Sequence, residues 1–356
     1  MNNILVVGAG ITGCVAANIL SVNHNVDIID KRSHIGGNLY DEFTDNLNYK
    51  QYYGPHIFHT DNANVWRFLS KFTKWKSYIH CVVAMVDGDL VELPVNLNTL
   101  CKLFPKSYVE YITNKTDLYG KHIPIDVFRM MCDDPIFKIV GNGVYEKIYK
   151  NYTSKQWGEF IPDNIFNRVK INLDMDKQYF DDRYQAIPVN GFTHMCEQML
   201  QCENITLMLN THYNDKMCDQ YDLIFYSGGL DGLMNYKYGV LPYRSIKIEF
   251  DIDEKYKHAS HAVVNYPNNY DFTRITNYSN FLNNKPYWIS YEYPCGYNKG
   301  DEPYYVVETE FSKKMYQKYL QCLPKNIIPI GRLGKYRYFD IDGVVEDTIN
   351  IVNQYI

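Results

Sequence analysis

The run Ile4-Leu5-Val6-Val7 is apolar at every position and stops at Gly8, the pattern of a strand buried on both faces. Gly8-Ala9-Gly10-Ile11-Thr12-Gly13 then turns into a helix over residues 14–21, and Val26-Asp27-Ile28-Ile29-Asp30 repeats the strand pattern. Strand, tight turn, helix and strand in this order predict a parallel sheet. Residues 61–76 set Trp66, Phe68, Leu69, Phe72 and Trp75 behind Asp61, which predicts an amphipathic helix capped by that carboxylate. Residues 78–93 read as strands about a turn at Asp87-Gly88-Asp89.

The pattern becomes helical from 96 to 178, punctuated by Pro105, Pro124, Pro135 and Pro162. Short mixed elements follow over 183–240, including the strand Leu223-Ile224-Phe225-Tyr226 that runs into Ser227-Gly228-Gly229. Alternation dominates 243–310, as in Ser245-Ile246-Lys247-Ile248-Glu249-Phe250 and Tyr304-Tyr305-Val306-Val307-Glu308-Thr309. The tail from Ile327 predicts one strand, then Gly331-Arg332, then a helix from about Gly343 to Gln354. The expected fold class is α/β. A Rossmann-like dinucleotide domain takes 1–78, 186–240 and 312–356. A helical substrate or lid domain takes 95–180, and an antiparallel sheet domain takes 79–94 and 241–311.

A chain of 356 residues can bury a full core without covalent staples. Its 36 basic and 41 acidic side chains leave a net charge of −5, so no general field draws nucleic acid or anionic lipid. No apolar stretch reaches the length of a membrane span. The start Met1-Asn2-Asn3 lacks the charge of a signal peptide, and the end Asn353-Gln354-Tyr355-Ile356 carries no lipidation pattern. Nine scattered cysteines without a C-x-x-C pair predict reduced thiols and a cytoplasmic protein. The 34 Tyr and 34 Asn against 8 Ala follow A/T-rich codon usage, so the tyrosine excess by itself points to no chemistry.

Position carries more. Gly8-x-Gly10-x-x-Gly13 after a strand and before a helix lets a pyrophosphate approach the backbone at a helix N-terminus. Asp30 stands where a carboxylate reaches a ribose hydroxyl. Lys31-Arg32-Ser33-His34-Ile35-Gly36-Gly37-Asn38 adds a second glycine pair, which nicotinamide-type domains do not need. With it the sequence resembles the large FAD-binding group that includes the amine oxidases. In that group the chain end near Gly331-Arg332 returns to the flavin, with a helix N-terminus toward its N1 and O2 edge.

Six blocks sharpen the likeness. They are Lys31-Arg32-x-His34-Ile35-Gly36-Gly37-Asn38, Tyr53-Gly54-Pro55-His56-Ile57-Phe58-His59-Thr60, Tyr152-Thr153-x-Lys155-Gln156-Trp157-Gly158, Asp182-Arg183-Tyr184-Gln185, Asp301-Glu302-Pro303-Tyr304-Tyr305 and Gly331-Arg332-Leu333. In this order they resemble the bacterial-type UDP-galactopyranose mutases along the whole chain. The resemblance implies an isomerase that interconverts UDP-galactopyranose and UDP-galactofuranose for cell-surface glycans. It implies reduced FAD, whose N5 forms a covalent adduct with the sugar and displaces UDP, without net redox change.

The resemblance also implies roles. Arg168, in a stretch read as a lid, and Arg274 become the diphosphate-binding and catalytic pair, as the planar fork of arginine suits phosphate oxygens. His56 becomes a third catalytic residue beside the flavin N5. Tyr152 stacks on uracil, Trp157 contacts substrate, and Tyr179, Tyr304 and Tyr338 line the diphosphate and sugar, with Tyr184 a further candidate. Gly8, Gly10, Gly13, Asp30, Lys31, Gly36, Gly37, Asn38, His59, Arg244, Arg332 and Asp340 become flavin-binding residues. His56 and His59 lack a third ligand at metal spacing, so no metal is expected. The reductant is expected from outside, such as NAD(P)H or a reduced flavin, and a homodimer is expected by analogy. Pro55, His80, Asn172, Ala186, Asn190 and Ile330 depart from the family pattern and bear on sugar specificity. The rivals are a flavin-dependent oxidoreductase of the amine-oxidase group and a non-enzymatic scaffold of the same fold.

Overall fold

The computed structural model describes residues 2–44, 48–115, 120–131, 133–159, 169–252, 261–282 and 288–356. The chain divides into two compact units. The first contains Met1–Tyr78, Asp182–Arg244 and Tyr297–Ile356, and the second contains Ile79–Asp181 and Ser245–Gly296. The segments expected as separate helical and sheet domains fall for the most part in the second unit.

Five parallel strands form the heart of the first unit: β1 (Asn3–Val7), β2 (Asn25–Ile29), β3 (Ile205–Met208), β4 (Leu223–Tyr226) and β5 (Ile327–Pro329). They lie side by side in the order β3-β2-β1-β4-β5. The order reverses beside β1, where open sheets of this kind bind ligands outside the strand ends. Ile4, Leu5 and Val6 are fully buried, which is why this strand reads as a continuous apolar run. Helix α1 (Ile11–Leu20) buries residues around its circumference. It packs against β1, against helix Gly191–Met199 and against α2 (Ile341–Val352), and the three helices share one core with the sheet. The final helix was expected to start near Gly343 and starts at Ile341.

The helix expected over 61–76 is shorter, at Ala63–Leu69. Its cap is Asn62, whose side chain accepts from the N–H groups of Asn64 and Val65. Asp61 instead accepts from the backbone N–H of Arg183. Trp75 belongs to a strand, Trp75–Ser77, and its ring lies within a stack with Phe58, Trp66 and Tyr184. Aromatic stacking, not helical amphipathicity, fixes these positions.

A further sheet, nearly all of it in the second unit, has strands in the order Tyr243–Ile252, Trp288–Gly296, Arg274–Asn277, Val263–Asn265, Val82–Val86, Asp89–Leu93. The pair Val82–Val86 and Asp89–Leu93 turns at Asp87-Gly88 as expected, and Val263–Asn265 joins Val82–Val86 in parallel. Helices Leu97–Leu103, Lys106–Thr113, Pro135–Val144 and Lys150–Trp157 supply the helical part. Pro135 sits in the first turn behind the Asp134 cap, where its missing N–H costs nothing. Back in the first unit, Glu310–Gln321 is a helix that the alternation over 304–309 does not announce.

Candidate functional site

The site in the first unit begins as a backbone contact. Gly8 holds φ +102° and donates its N–H to the Ile29 carbonyl at 2.7 Å. A Cβ at Gly13 would stand 1.8 Å from the Gly8 oxygen. The turn therefore closes only with hydrogen at both positions. Gly10 precedes α1 and pairs with Gly36 in an isolated parallel bridge, while the N–H of Gly36 donates to the Ala9 carbonyl at 2.8 Å. Gly37 has φ +58°, and a Cβ there would meet the Gly10 Cα at 2.9 Å. Two glycine segments thus lie backbone to backbone at the start of a helix, a surface of exposed amides suited to phosphate.

Asp30 follows directly on β2 and is 8% exposed. One oxygen accepts from the Ala9 N–H at 2.7 Å and the other from the Arg32 N–H at 2.8 Å. A carboxylate has about four lone-pair sites, so acceptor capacity remains for a hydroxyl. A cleft of about 700 Å³ opens here, lined by Gly8, Gly10, Asp30, Lys31, Gly36, Gly37, Asn38, His56, Arg332 and Asp340 among others. It is of a size that takes a cofactor, and a floor of closely apposed glycine backbone at a helix N-terminus fits a dinucleotide pyrophosphate. His56 is fixed through its backbone: its N–H donates to Gln51 Oε1 at 2.6 Å and its carbonyl accepts from Gln51 Nε2 at 3.0 Å.

Other expected residues take different places. Arg332 donates to the carbonyls of Tyr304 and Phe339, at 3.3 and 2.5 Å, and lies 4.8 Å from the Tyr338 ring. Tyr338 in turn donates to Asp340 Oδ1 at 3.1 Å, and Asp340 stands at the N-cap position of α2 without a side-chain capping bond. His59 Nδ1 lies 2.9 Å from the Asp182 carboxylate. His59, Gly13, Arg244, Tyr304 and Tyr338 are not among the residues that line the cleft. Arg244 is buried, and its carbonyl accepts from Tyr304.

Two features of the cleft have no counterpart in the sequence reading. Arg32 pairs with Glu302 at 2.6 Å, donates to Asn38 Oδ1 at 2.9 Å and covers the Tyr53 ring at 4.5 Å. Its position two residues after Asp30 and the Asp301-Glu302 block were the available signals. Farther along the cleft, buried Asp231 accepts from Tyr243 Oη and from the Leu241 N–H, both at 3.0 Å. Burial, reinforced by Asp231, drives the Tyr243 phenol far up, so it stays protonated and donates.

The second unit holds the other set. Tyr152 and Trp157 lie on helix Lys150–Trp157. The Tyr179 N–H donates to the His80 carbonyl at 2.8 Å, and its ring meets His80 and Phe180 edge-on. Arg274 faces Glu292 across neighbouring strands, with Nε 3.0 Å from a carboxylate that is 1% exposed. Burial pushes the Glu292 carboxyl above its ordinary range and the Arg274 charge pulls against that. Asn172 is buried, with its Oδ1 3.0 Å from His122 Nδ1. Arg168 lies outside the described residues.

Comparison with known proteins places this geometry. The family model described as UDP-galactopyranose mutase matches residues 147–338, and the one for NAD(P)-binding Rossmann-like domains matches residues 6–72. A probable UDP-galactopyranose mutase of Klebsiella pneumoniae is 33% identical over 99% of this chain and 94% of its own. The chain belongs to the UDP-galactopyranose mutase family. Another member of comparable likeness is the UDP-galactopyranose mutase of Mycoplasma genitalium, 33% identical over 99% of this chain and 95% of its own. The dTDP-fucopyranose mutase of Escherichia coli is 31% identical over 100% of this chain and 99% of its own. Among solved structures, a reduced UDP-galactopyranose mutase superposes with a TM-score of 0.70 at 14% identity, covering 100% of this chain and 94% of that one. A putrescine oxidase superposes with a TM-score of 0.55 at 11% identity, over 99% and 98% of the two chains. These structures share the fold: a Rossmann-like core with added elements. The segment matched as Rossmann-like, residues 6–72, carries the glycine contact and Asp30 of the cleft.

Proposed function

We propose that the protein interconverts the pyranose and furanose forms of UDP-galactose with reduced FAD as its cofactor. The observation that carries this reading is the double glycine contact beside Asp30, in a chain that aligns with mutases of this family from end to end. Gly8, Gly10, Gly36 and Gly37 would hold the dinucleotide pyrophosphate, Asp30 a ribose hydroxyl, and His56, Arg332 and Asp340 the flavin end. When bound there, reduced FAD would supply a nucleophile toward the anomeric carbon of the sugar.

The protein's residues do the rest. Arg274, assisted by Arg168, holds the diphosphate and stabilises the charge that grows on it as the bond to the sugar breaks. Glu292 keeps the Arg274 fork oriented from behind, so the fork is preorganised before the substrate arrives. Tyr152 presents a flat face to the base, and Trp157 and Tyr179 border it. Tyr304 and Tyr338 supply neutral phenols toward the sugar. Electrons come from an external donor such as NAD(P)H or a reduced flavin. We further propose a cytoplasmic homodimer.

A second reading is favoured by one comparison. The dTDP-fucopyranose mutase matches this chain over its whole length almost as well as the UDP-galactopyranose mutases do, so a dTDP-hexose is the competing substrate. Product analysis tests both. Dithionite-reduced protein is given UDP-galactopyranose, its N-acetyl analogue and dTDP-fucopyranose. Furanose product from UDP-galactopyranose without consumption of an electron acceptor is the expected result. Furanose from dTDP-fucopyranose alone would select the second reading. Product that appears only as an oxidant is consumed would make the chain an oxidoreductase, and a colourless protein that cannot be reconstituted with FAD would make it a scaffold.

A further inference from the structure

Two segments of the second unit converge on one ammonium group. The first is helix Lys150–Trp157, which carries Tyr152 and Trp157. The second is the loop 266–273, which links strand Val263–Asn265 to strand Arg274–Asn277 as a hairpin, with Asn265 opposite Arg274. Lys155 stands between the two aromatic residues and sends its Nζ into that loop. It lies 2.5 Å from the Tyr266 carbonyl, 3.1 Å from that of Tyr270 and 3.0 Å from that of Phe272. Three acceptors match the three N–H donors of an ammonium, and hydrogen bonds from a charged donor are about twice as strong as neutral ones.

The loop has further ties to the same stretch of chain. Asn268 donates to the Lys147 carbonyl at 2.8 Å and accepts from Asn151 Nδ2 at 2.8 Å. Tyr266, Tyr270 and Phe272 pack against one another, the Tyr266 ring edge-on to both others. The carbonyl of Phe272 is only two residues from Arg274. The Lys155 ammonium is therefore a rivet between the helix that carries Tyr152, three residues away on the same face, and the strand end with Arg274.

We propose that Lys155 is a positioning residue that fixes the helix bearing Tyr152 against the strand bearing Arg274, so that base and diphosphate of one nucleotide are read together. The inference rests on the reading that the substrate is a nucleotide-activated sugar. Lys155 touches neither substrate nor cofactor in this scheme; it acts through Arg274. A lysine that merely filled space would weaken every ligand of the second unit alike. A rivet would spare the nucleoside and penalise the nucleoside diphosphate.

The flavin-loaded protein and its Lys155→Met and Lys155→Arg variants are titrated calorimetrically with UDP and uridine, and with dTDP and thymidine. Lys155→Met is expected to weaken the nucleoside diphosphate about tenfold or more and the nucleoside less than about threefold. The flavin spectrum stays unchanged, and Lys155→Arg stays within about threefold of wild type for both ligands. Equal losses for nucleoside and nucleoside diphosphate, or no loss for either, would overturn the proposal. Lys155→Gln, which keeps two N–H donors, takes the same measurements if the methionine variant is recovered unfolded. Wild-type protein that binds neither UDP nor dTDP would instead overturn the nucleotide-sugar reading, and this inference with it.

Discussion

Arg274 is held by a carboxylate that its own burial disfavours. On the proposed function the pair acts as one arrangement, because a guanidinium that is to hold a diphosphate must not swing freely. Arg274→Ala is expected to lower turnover about 10²–10³-fold while the flavin spectrum is retained, and the same holds for Arg168→Ala. Near-normal turnover in steady-state assays would remove that role. Tyr152→Ala should raise KM more than it lowers kcat, since stacking contributes about 1 kcal/mol to binding; the reverse pattern would argue against a base contact. The Glu292 carboxyl has a pKa above its ordinary 4.5 in the folded chain. The fold therefore prefers its protonated form, and that stability fades as pH rises through the folded value. The melting temperature of Glu292→Gln minus that of wild type should then grow from about pH 4 to pH 8, whatever its offset. A flat difference across that window would show that Glu292 does not titrate as a buried acid. At this scale the sequence revealed the glycines and Asp30, because their spacing follows from backbone geometry. It did not reveal the Arg32–Glu302 pair, because ion pairs between distant segments leave no periodic trace.

At the scale of the element, the turn between β1 and α1 separates two glycine roles. A Cβ at Gly13 meets backbone at 1.8 Å, whereas one at Gly10 meets the Gly37 Cα at an ordinary 3.5 Å. Gly13→Ala should cost about 1–3 kcal/mol of stability, read by denaturant melts of the flavin-free protein. Gly10→Ala should leave that melt nearly unchanged yet lower flavin content on purification, because its methyl takes space a pyrophosphate would use. Equal effects of both on the melt would contradict this division. The same scale shows why some elements escaped the sequence. Thr309 ends an alternating run and at once caps helix Glu310–Gln321, with Ser312 completing a capping box. The alternation continues up to the cap, so the period changes without a Gly or Pro to mark it. Asp61 and Asn62 are both good caps by type. The choice fell to Asn62 because Asp61 holds the backbone of Arg183, a partner 122 residues away.

At the scale of the whole molecule, five stretches of chain make two units. The sequence showed a change of pattern near the crossings at 78, 181 and 244 but none at 296, where the alternation over 243–310 runs on without a break. It did not show which stretches share a unit, since that depends on pairings such as Val263 with Val82. The order of these stretches has a consequence during synthesis. The second unit has all its residues once Gly296 has been made, whereas the first still lacks β5 and α2. A nascent chain leaves the ribosome at about 5–20 residues per second and domains tend to fold as they are completed. The later-numbered unit can thus close while the strands begun at Asn3 still wait for neighbours. A ribosome-stalled chain with residues through 310 outside the exit tunnel should resist protease within 79–181 and 245–296 and be cut within 2–78 and 182–244, and the opposite pattern would refute this order. The cleft becomes complete only with Arg332, Asp340 and Val344, so it can hold no cofactor until those residues have been made and have left the ribosome.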